Sequence, residues 1–149
     1  MDRRELLAGG AAALASLALS KTATAAEAGS HEHHHHDMGP QTAGLATAAA
    51  DCVQTGQICL NHCLVLLNQG DKSMAACARS VMELLSVCGA LQSLANAKSK
   101  YLPLMAKLAL ETCRDCGEEC KKFAEKHAEC KACMESCEAC VRECRKFAA

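Results

Sequence analysis

Five cysteines near the end of the chain, Cys130, Cys133, Cys137, Cys140 and Cys144, stand 3, 4, 3 and 4 residues apart. That interval lines side chains along one stripe of an α-helix and fits no other regular structure. Cys113, Cys116 and Cys120 repeat it, Cys52, Cys59 and Cys63 follow at intervals of 7 and 4, and Cys77 and Cys88 lie three turns apart. A helix bearing such a stripe buries it against other helices, so the cysteines mark the inward faces of a bundle.

The segments between these stripes fit that expectation. The pattern predicts helices over Thr42–Asn68, from Asp71 or Ser73 to Ala97, over Leu102–Lys126 and over Ala128–Phe147. Gly70 suits the left-handed position after the first helix, and Pro103 suits the first turn of the third. No run of alternating β-branched residues signals a strand. Short connections between long helices favour antiparallel neighbours. The expected fold is therefore all-α, an antiparallel four-helix bundle with a cysteine-lined core over residues 42–149.

The first 25 residues read as an export signal. Arg3 and Arg4 precede an apolar stretch from Leu6 to Leu19, too short to span a bilayer, and Ala23-Thr24-Ala25 offers a cleavage site. Paired arginines before a mild Ala/Gly-rich core resemble a twin-arginine signal, which implies transport of the folded protein to the periplasm or an internal-membrane lumen. None of the 13 cysteines lies in this segment, and the processed chain is expected to carry no membrane span. Residues 26–41 form an expected flexible tail containing His31 and His33 to His36. That tail either captures Cu(II) or Zn(II) weakly or is a solvated extension without function.

Several chemistries are excluded by composition. With 16 Lys+Arg against 17 Asp+Glu and a formal charge of −1, the chain has no basic field for nucleic acid or acidic lipid. One Tyr, two Phe and no Trp leave little for base stacking. No Gly-rich phosphate loop or Ser/His/Asp spacing is present, so no enzyme activity is expected.

Five successive seam positions are too many for cysteine acting only as a small apolar residue. An odd total leaves at least one thiol outside any disulfide framework, and helix neighbours three or four residues apart, roughly 5–6 Å at Cβ, exceed the usual disulfide span of ~3.5–4.5 Å. Zinc favours four ligands brought together by loops, and iron–sulfur clusters a wrapping loop; both motifs are missing. Cu(I) is soft, prefers thiolate and accepts two or three sulfurs without a rigid polyhedron. With each sulfur bridging two coppers, the ratio approaches one copper per thiolate and the loaded core is nearly neutral. Loading then releases about one proton per copper. The expected ligands are Cys52, Cys59, Cys63, Cys77, Cys88, Cys113, Cys116, Cys120, Cys130, Cys133, Cys137, Cys140 and Cys144. A thiol-redox or zinc-binding bundle remains the alternative.

Cys59-x3-Cys63 with His62, the run Asp71 to Cys77, Cys88-Gly89-Ala90-Leu91 and the Cys130–Cys144 series make the chain resemble the bacterial four-helix-bundle copper storage proteins, specifically their exported branch. The resemblance covers about residues 42–149. It implies storage of many Cu(I) ions, largely by thiolate pairs, supply to copper enzymes or chaperone recipients, and a homo-oligomer of bundles.

Antiparallel threading gathers Cys63, Cys77, Cys120 and Cys130 at one end with His62, Met74 and His127. An entrance needs weaker ligands than the store, and thioether and imidazole fit. His62 and Met74 are expected to bind copper at this mouth, and His127 with them; the alternative is that the histidines face solvent and Met74 fills core. Exported relatives carry additional methionines near the first turn, where this chain has Leu66, Leu67 and Gln69, so its mouth is expected to hold fewer coppers. Leu45, Leu91, Leu94, Leu104 and Leu108 are expected to cap the other end.

Overall fold

The computed structural model describes residues 39–148. The proposed export signal and residues 26–38 of the His-rich tail lie outside the described residues. Four helices follow one another: α1 (Pro40–Asn68), α2 (Ala75–Asn96), α3 (Leu102–Lys121) and α4 (Ala128–Cys144). Each packs against its neighbours in the order α1, α2, α3, α4 and back to α1, with no strand among the described residues. The short connections make this an antiparallel bundle.

Local chemistry explains most of the boundaries. Pro40 occupies the first turn of α1, starting it two residues before the expected Thr42. After Asn68 the chain reverses at Gly70, whose φ of +95° is the left-handed region open to glycine. Asp71 then accepts the backbone N–H of Ser73 and caps one short 3-10 turn, Lys72–Met74, that leads into α2. The third helix ends at Lys121, not Lys126. Beyond it, Phe123 N–H donates to Cys120 O and Lys126 N–H to Phe123 O, tight i to i+3 bonds that turn the chain without a Gly or Pro to announce it. The same bond type, Phe147 N–H to Cys144 O, ends α4 at Cys144 and not at the expected Phe147.

The core is a column of sulfur closed at one end by carbon. All thirteen cysteines are buried, at 0–1% exposure, with Val81 and Leu84 from α2 among them. Gly56 lets α1 approach α2, since a Cβ there would lie 3.0 Å from the Leu85 side chain. At the end away from the α1–α2 turn, Leu45, Ala49, Leu91, Ala95, Leu102 and Ala106 fill the interior. Leu45 and Leu91 belong to this plug as expected, and Leu94 packs partly buried against it. Leu104 and Leu108 do not: they are 70% and 53% exposed. The inward stripe of α3 runs Leu102, Ala106, Ala109, Cys113, and residues 104 and 108 fall outside it.

Candidate metal centre

Twelve of the thirteen thiols, all but Cys144, fall into four groups whose sulfurs lie within 4.8 Å of one another. Cys52, Cys88, Cys113 and Cys140 form an inner group with one sulfur from each helix, and Cys59, Cys63, Cys77 and Cys130 form a second nearer the α1–α2 turn. Cys59, Cys120 and Cys133 make a third, and Cys116, Cys133 and Cys137 a fourth. The shortest cross-helix contacts are Cys77 to Cys120 and Cys88 to Cys113, both 3.7 Å, and Cys59 to Cys130 at 3.8 Å. Along single helices, Cys116 lies 4.0 Å from Cys120 and Cys140 lies 3.9 Å from Cys144. These are separations of free thiols, well beyond the ~2.05 Å of a disulfide.

Thiols packed this closely share protons unevenly. Hydrogen bonds from Cys113, and then from Cys137, Cys140 and Cys88, hold the Cys52 thiol far below its ordinary range, because a thiolate there accepts several S–H donors. Cys63 is held down in the same way, first by Cys130, and Cys133 first by Cys116. Their neighbours keep the protons: Cys113 pushes Cys88 up, Cys116 pushes Cys120 up, and Cys113 pushes Cys137 up, with burial adding to each. Each four-thiol group thus combines a sulfur poised for ionisation with neighbours that release protons only when something replaces them.

Two hydroxyls interrupt the sulfur stripe. Ser136 donates to the Cys133 carbonyl and shares a 2.6 Å hydrogen bond with Thr55, and the Cys52 sulfur lies 3.2 Å from the Ser136 carbonyl oxygen. Ser136 is the only buried polar or charged residue among those described, so the core holds no cation to balance a negative cluster.

The helix ends bring His62 and His127 together. His62 Nε2 lies 2.9 Å from His127 Nδ1, their rings 4.8 Å apart. Behind His62, Glu129 Oε1 stands 3.6 Å from Nδ1. Both histidines are half-buried, and neither points freely into solvent. Met74 sits just before α2 and is fully buried, part of the same core. Sequence reasoning missed Glu129; its signal was an acidic residue in the first turn of α4, one residue before Cys130.

The copper storage protein family model (Csp) matches residues 37–149. A Cu(I)-bound copper storage protein, BsCsp3, is 25% identical, with a TM-score of 0.65 over 73% of this chain and 99% of that one. Apo-Csp3 from Bacillus subtilis is 27% identical, with a TM-score of 0.64 over 72% and 99%. The copper storage protein Ccsp from Streptomyces lividans, loaded with 10 copper equivalents, shares the fold at a TM-score of 0.67 and 23% identity, over 78% of this chain and 92% of that one. No curated protein sequence matches. A buried column of free thiols in four antiparallel helices, a family match over that whole bundle and neighbours of the same fold lead to one assignment: the chain belongs to the copper storage protein family.

Proposed function

We propose that this chain stores Cu(I), about one ion per cysteine, on the thirteen thiols of its core, and that it is not an enzyme. The observation that carries the reading is the burial of all thirteen thiols, twelve of them in close groups, without a buried cation among the described residues. Monovalent copper at one ion per thiolate makes a neutral column, which a low-dielectric interior tolerates. Zinc in either four-thiol group would leave two uncompensated negative charges with no buried counter-charge, so the zinc alternative is disfavoured. Anaerobic titration of the reduced protein with Cu(I) against a strong chelator tests this. Uptake near one copper per thiol is the expected result; uptake of one or two ions, or tight binding of two zincs in preference, would overturn it.

The mouth of the store is assigned to His62, Met74 and His127, supported by the convergence of the two imidazoles at the end where Cys63, Cys77 and Cys130 cluster. The paired arginines and the Ala23-Thr24-Ala25 site support export by the twin-arginine route to the periplasm or an internal-membrane lumen, where the store would supply copper enzymes or chaperones. Fractionation of cells expressing the full chain, with Arg3 and Arg4 both changed to Lys, tests that route by loss of the exported form.

Assembly with further copies of the chain is supported by exposed apolar side chains on three helices, Leu64 of α1, Met82 of α2 and Leu104 and Leu108 of α3, together with Tyr101 before α3. The only charges within Ala75–Asn96, Arg79 and Glu83, are of opposite sign and one turn apart. A second copy suits such apolar exposure; a membrane surface would call for a basic rim.

A further inference from the structure

Gly117 follows Cys116 inside α3, where glycine favours a helix less than alanine does. Packing does not require it. A Cβ at Gly117 would meet the Cys137 Cβ at 3.6 Å, an ordinary contact, whereas one at Gly56 would press on Leu85 at 3.0 Å. The missing side chain at 117 instead leaves open space beside Cys137.

That space is a groove of about 460 Å³ between α3 and α4. Gly117, Met134, Val141 and the thiols Cys113 and Cys137 line it, and the other seven lining residues are charged and exposed. Charged side chains keep their ends in water, which leaves the floor to the first five. Cys137 is also the one thiol of the thirteen above 0% exposure, at 1%. Met134, three residues before Cys137 on α4, is half-buried and brings a thioether to the wall. Thioether sulfur is a soft ligand for Cu(I), and the unbranched Met side chain adapts readily.

Two thiol groups reach this groove. Cys137 belongs with Cys116 and Cys133, and Cys113 belongs with Cys52, Cys88 and Cys140. The second of these groups shares no member with the other three. Carbon plugs the end of the bundle away from His62, through Leu45, Leu91 and Ala106 among others. The groove gives the isolated group an approach from the side.

We infer that the α3–α4 groove is a lateral entrance for Cu(I), with Met134 as its first ligand and Cys137 and Cys113 as the thiols that receive the ion. This rests on the storage reading and adds an approach separate from the His62 end. Entry is ligand exchange from a small, weakly held Cu(I) complex. The Met134 sulfur replaces one ligand of that complex. A bond from copper to the Cys137 or Cys113 sulfur then forms before the bond to Met134 breaks. The thiol proton leaves to water in the groove, and copper stays monovalent, so no oxidant or reductant is consumed.

The test has two arms, both on the full reduced chain under anaerobic conditions. In the first, the copper-free protein is pulsed with an alkylating reagent and labelled thiols are mapped by mass spectrometry. Gly117→Leu should slow labelling of Cys113 and Cys137 by about tenfold, leaving only wider openings of the bundle as a route, while Cys63 at the other entrance keeps its wild-type rate. Equal slowing at all three thiols, or none, would overturn the proposal. Gly89→Leu, a bulky change in α2 where a Cβ meets nothing within 4 Å, serves as the control and should alter none of the three rates.

In the second arm, Cu(I) is added stepwise as its chloride complex, and copper-free thiols are labelled after quenching into denaturant. In the wild type, Cys113 and Cys137 should lose label with the first additions. In Met134→Leu, a swap of similar volume, they should lose it only after Cys63, Cys77 and Cys130. An unchanged order in Met134→Leu would overturn the proposal even if Gly117→Leu failed to fold. A wild type that takes up no Cu(I) would overturn the storage reading, and the first arm would still decide whether the groove reaches the thiols.

Discussion

His62 Nε2 and His127 Nδ1 face each other at 2.9 Å although 65 residues separate them in the chain. Glu129 stands on the opposite edge of the His62 ring, its Oε1 3.6 Å from Nδ1. A carboxylate behind a ligating histidine holds its tautomer and ring orientation, and losing such a partner costs about 10–100-fold in metal affinity. Glu129→Ala should therefore weaken copper binding at the mouth by about tenfold while leaving the capacity of the core unchanged. Competition with chelators of graded affinity separates the two effects, since only the weakest-held copper should respond.

Met74→Leu isolates the thioether. Met74 is fully buried, and Leu fills nearly the same volume, a swap that costs less than ~1.5 kcal/mol. The variant should fold and keep its core capacity, yet load and release copper more slowly. Stopped-flow transfer from a Cu(I) donor measures both rates; rates equal to wild type would reduce Met74 to a packing residue.

Protons and copper compete for the same sulfurs. Cys120 is pushed above its usual value of 9.0, first by Cys116, and Cys137 first by Cys113, so in the empty protein both are protonated at neutral pH. Each copper that displaces such a proton should lose about tenfold in affinity per unit fall in pH. Chelator titrations at pH 8, 7 and 6 check the slope. The sign for folding stability is opposite in direction. A thiol whose folded value is raised keeps its proton while the unfolded chain loses one, so the empty bundle should lose stability as pH rises through 9. Thermal melts under reducing conditions at pH 7.5 and 10 should show the lower midpoint at the higher pH.

Charge at exposed Met82 of α2 and Leu104 of α3 should oppose assembly. Met82 is 58% exposed, and its replacement by Glu removes no core contact. Met82→Glu and Leu104→Glu, singly and together, should lower the mass measured by light scattering after size exclusion while copper uptake per chain stays the same. An unchanged mass in the double variant would remove Met82 and Leu104 as contacts between copies.

Much of this architecture is legible in the chain. Cysteine at heptad intervals identified the inward stripe of every helix, and all thirteen thiols are buried. Gly70 and Pro103 marked real boundaries because each acts through its own backbone. The ends of α3 and α4 were misread by several residues because nothing in the local sequence stops them; i to i+3 hydrogen bonds tighten the chain there instead. Leu104 and Leu108 were misread as a plug because apolar character alone does not say which way a residue points, and the stripe through Ala106 and Ala109 does.

Sequence by itself determined that sulfur lines the interior of a four-helix bundle, because side-chain periodicity fixes the angle of each residue about its own helix axis. It left open how far each helix slides and turns against the next, since those offsets follow from packing among residues distant in the chain. Tertiary structure alone decided that Cys52 meets Cys88, Cys113 and Cys140, that Cys116 meets Cys133 and Cys137, and that His62 meets His127 with Glu129 behind it.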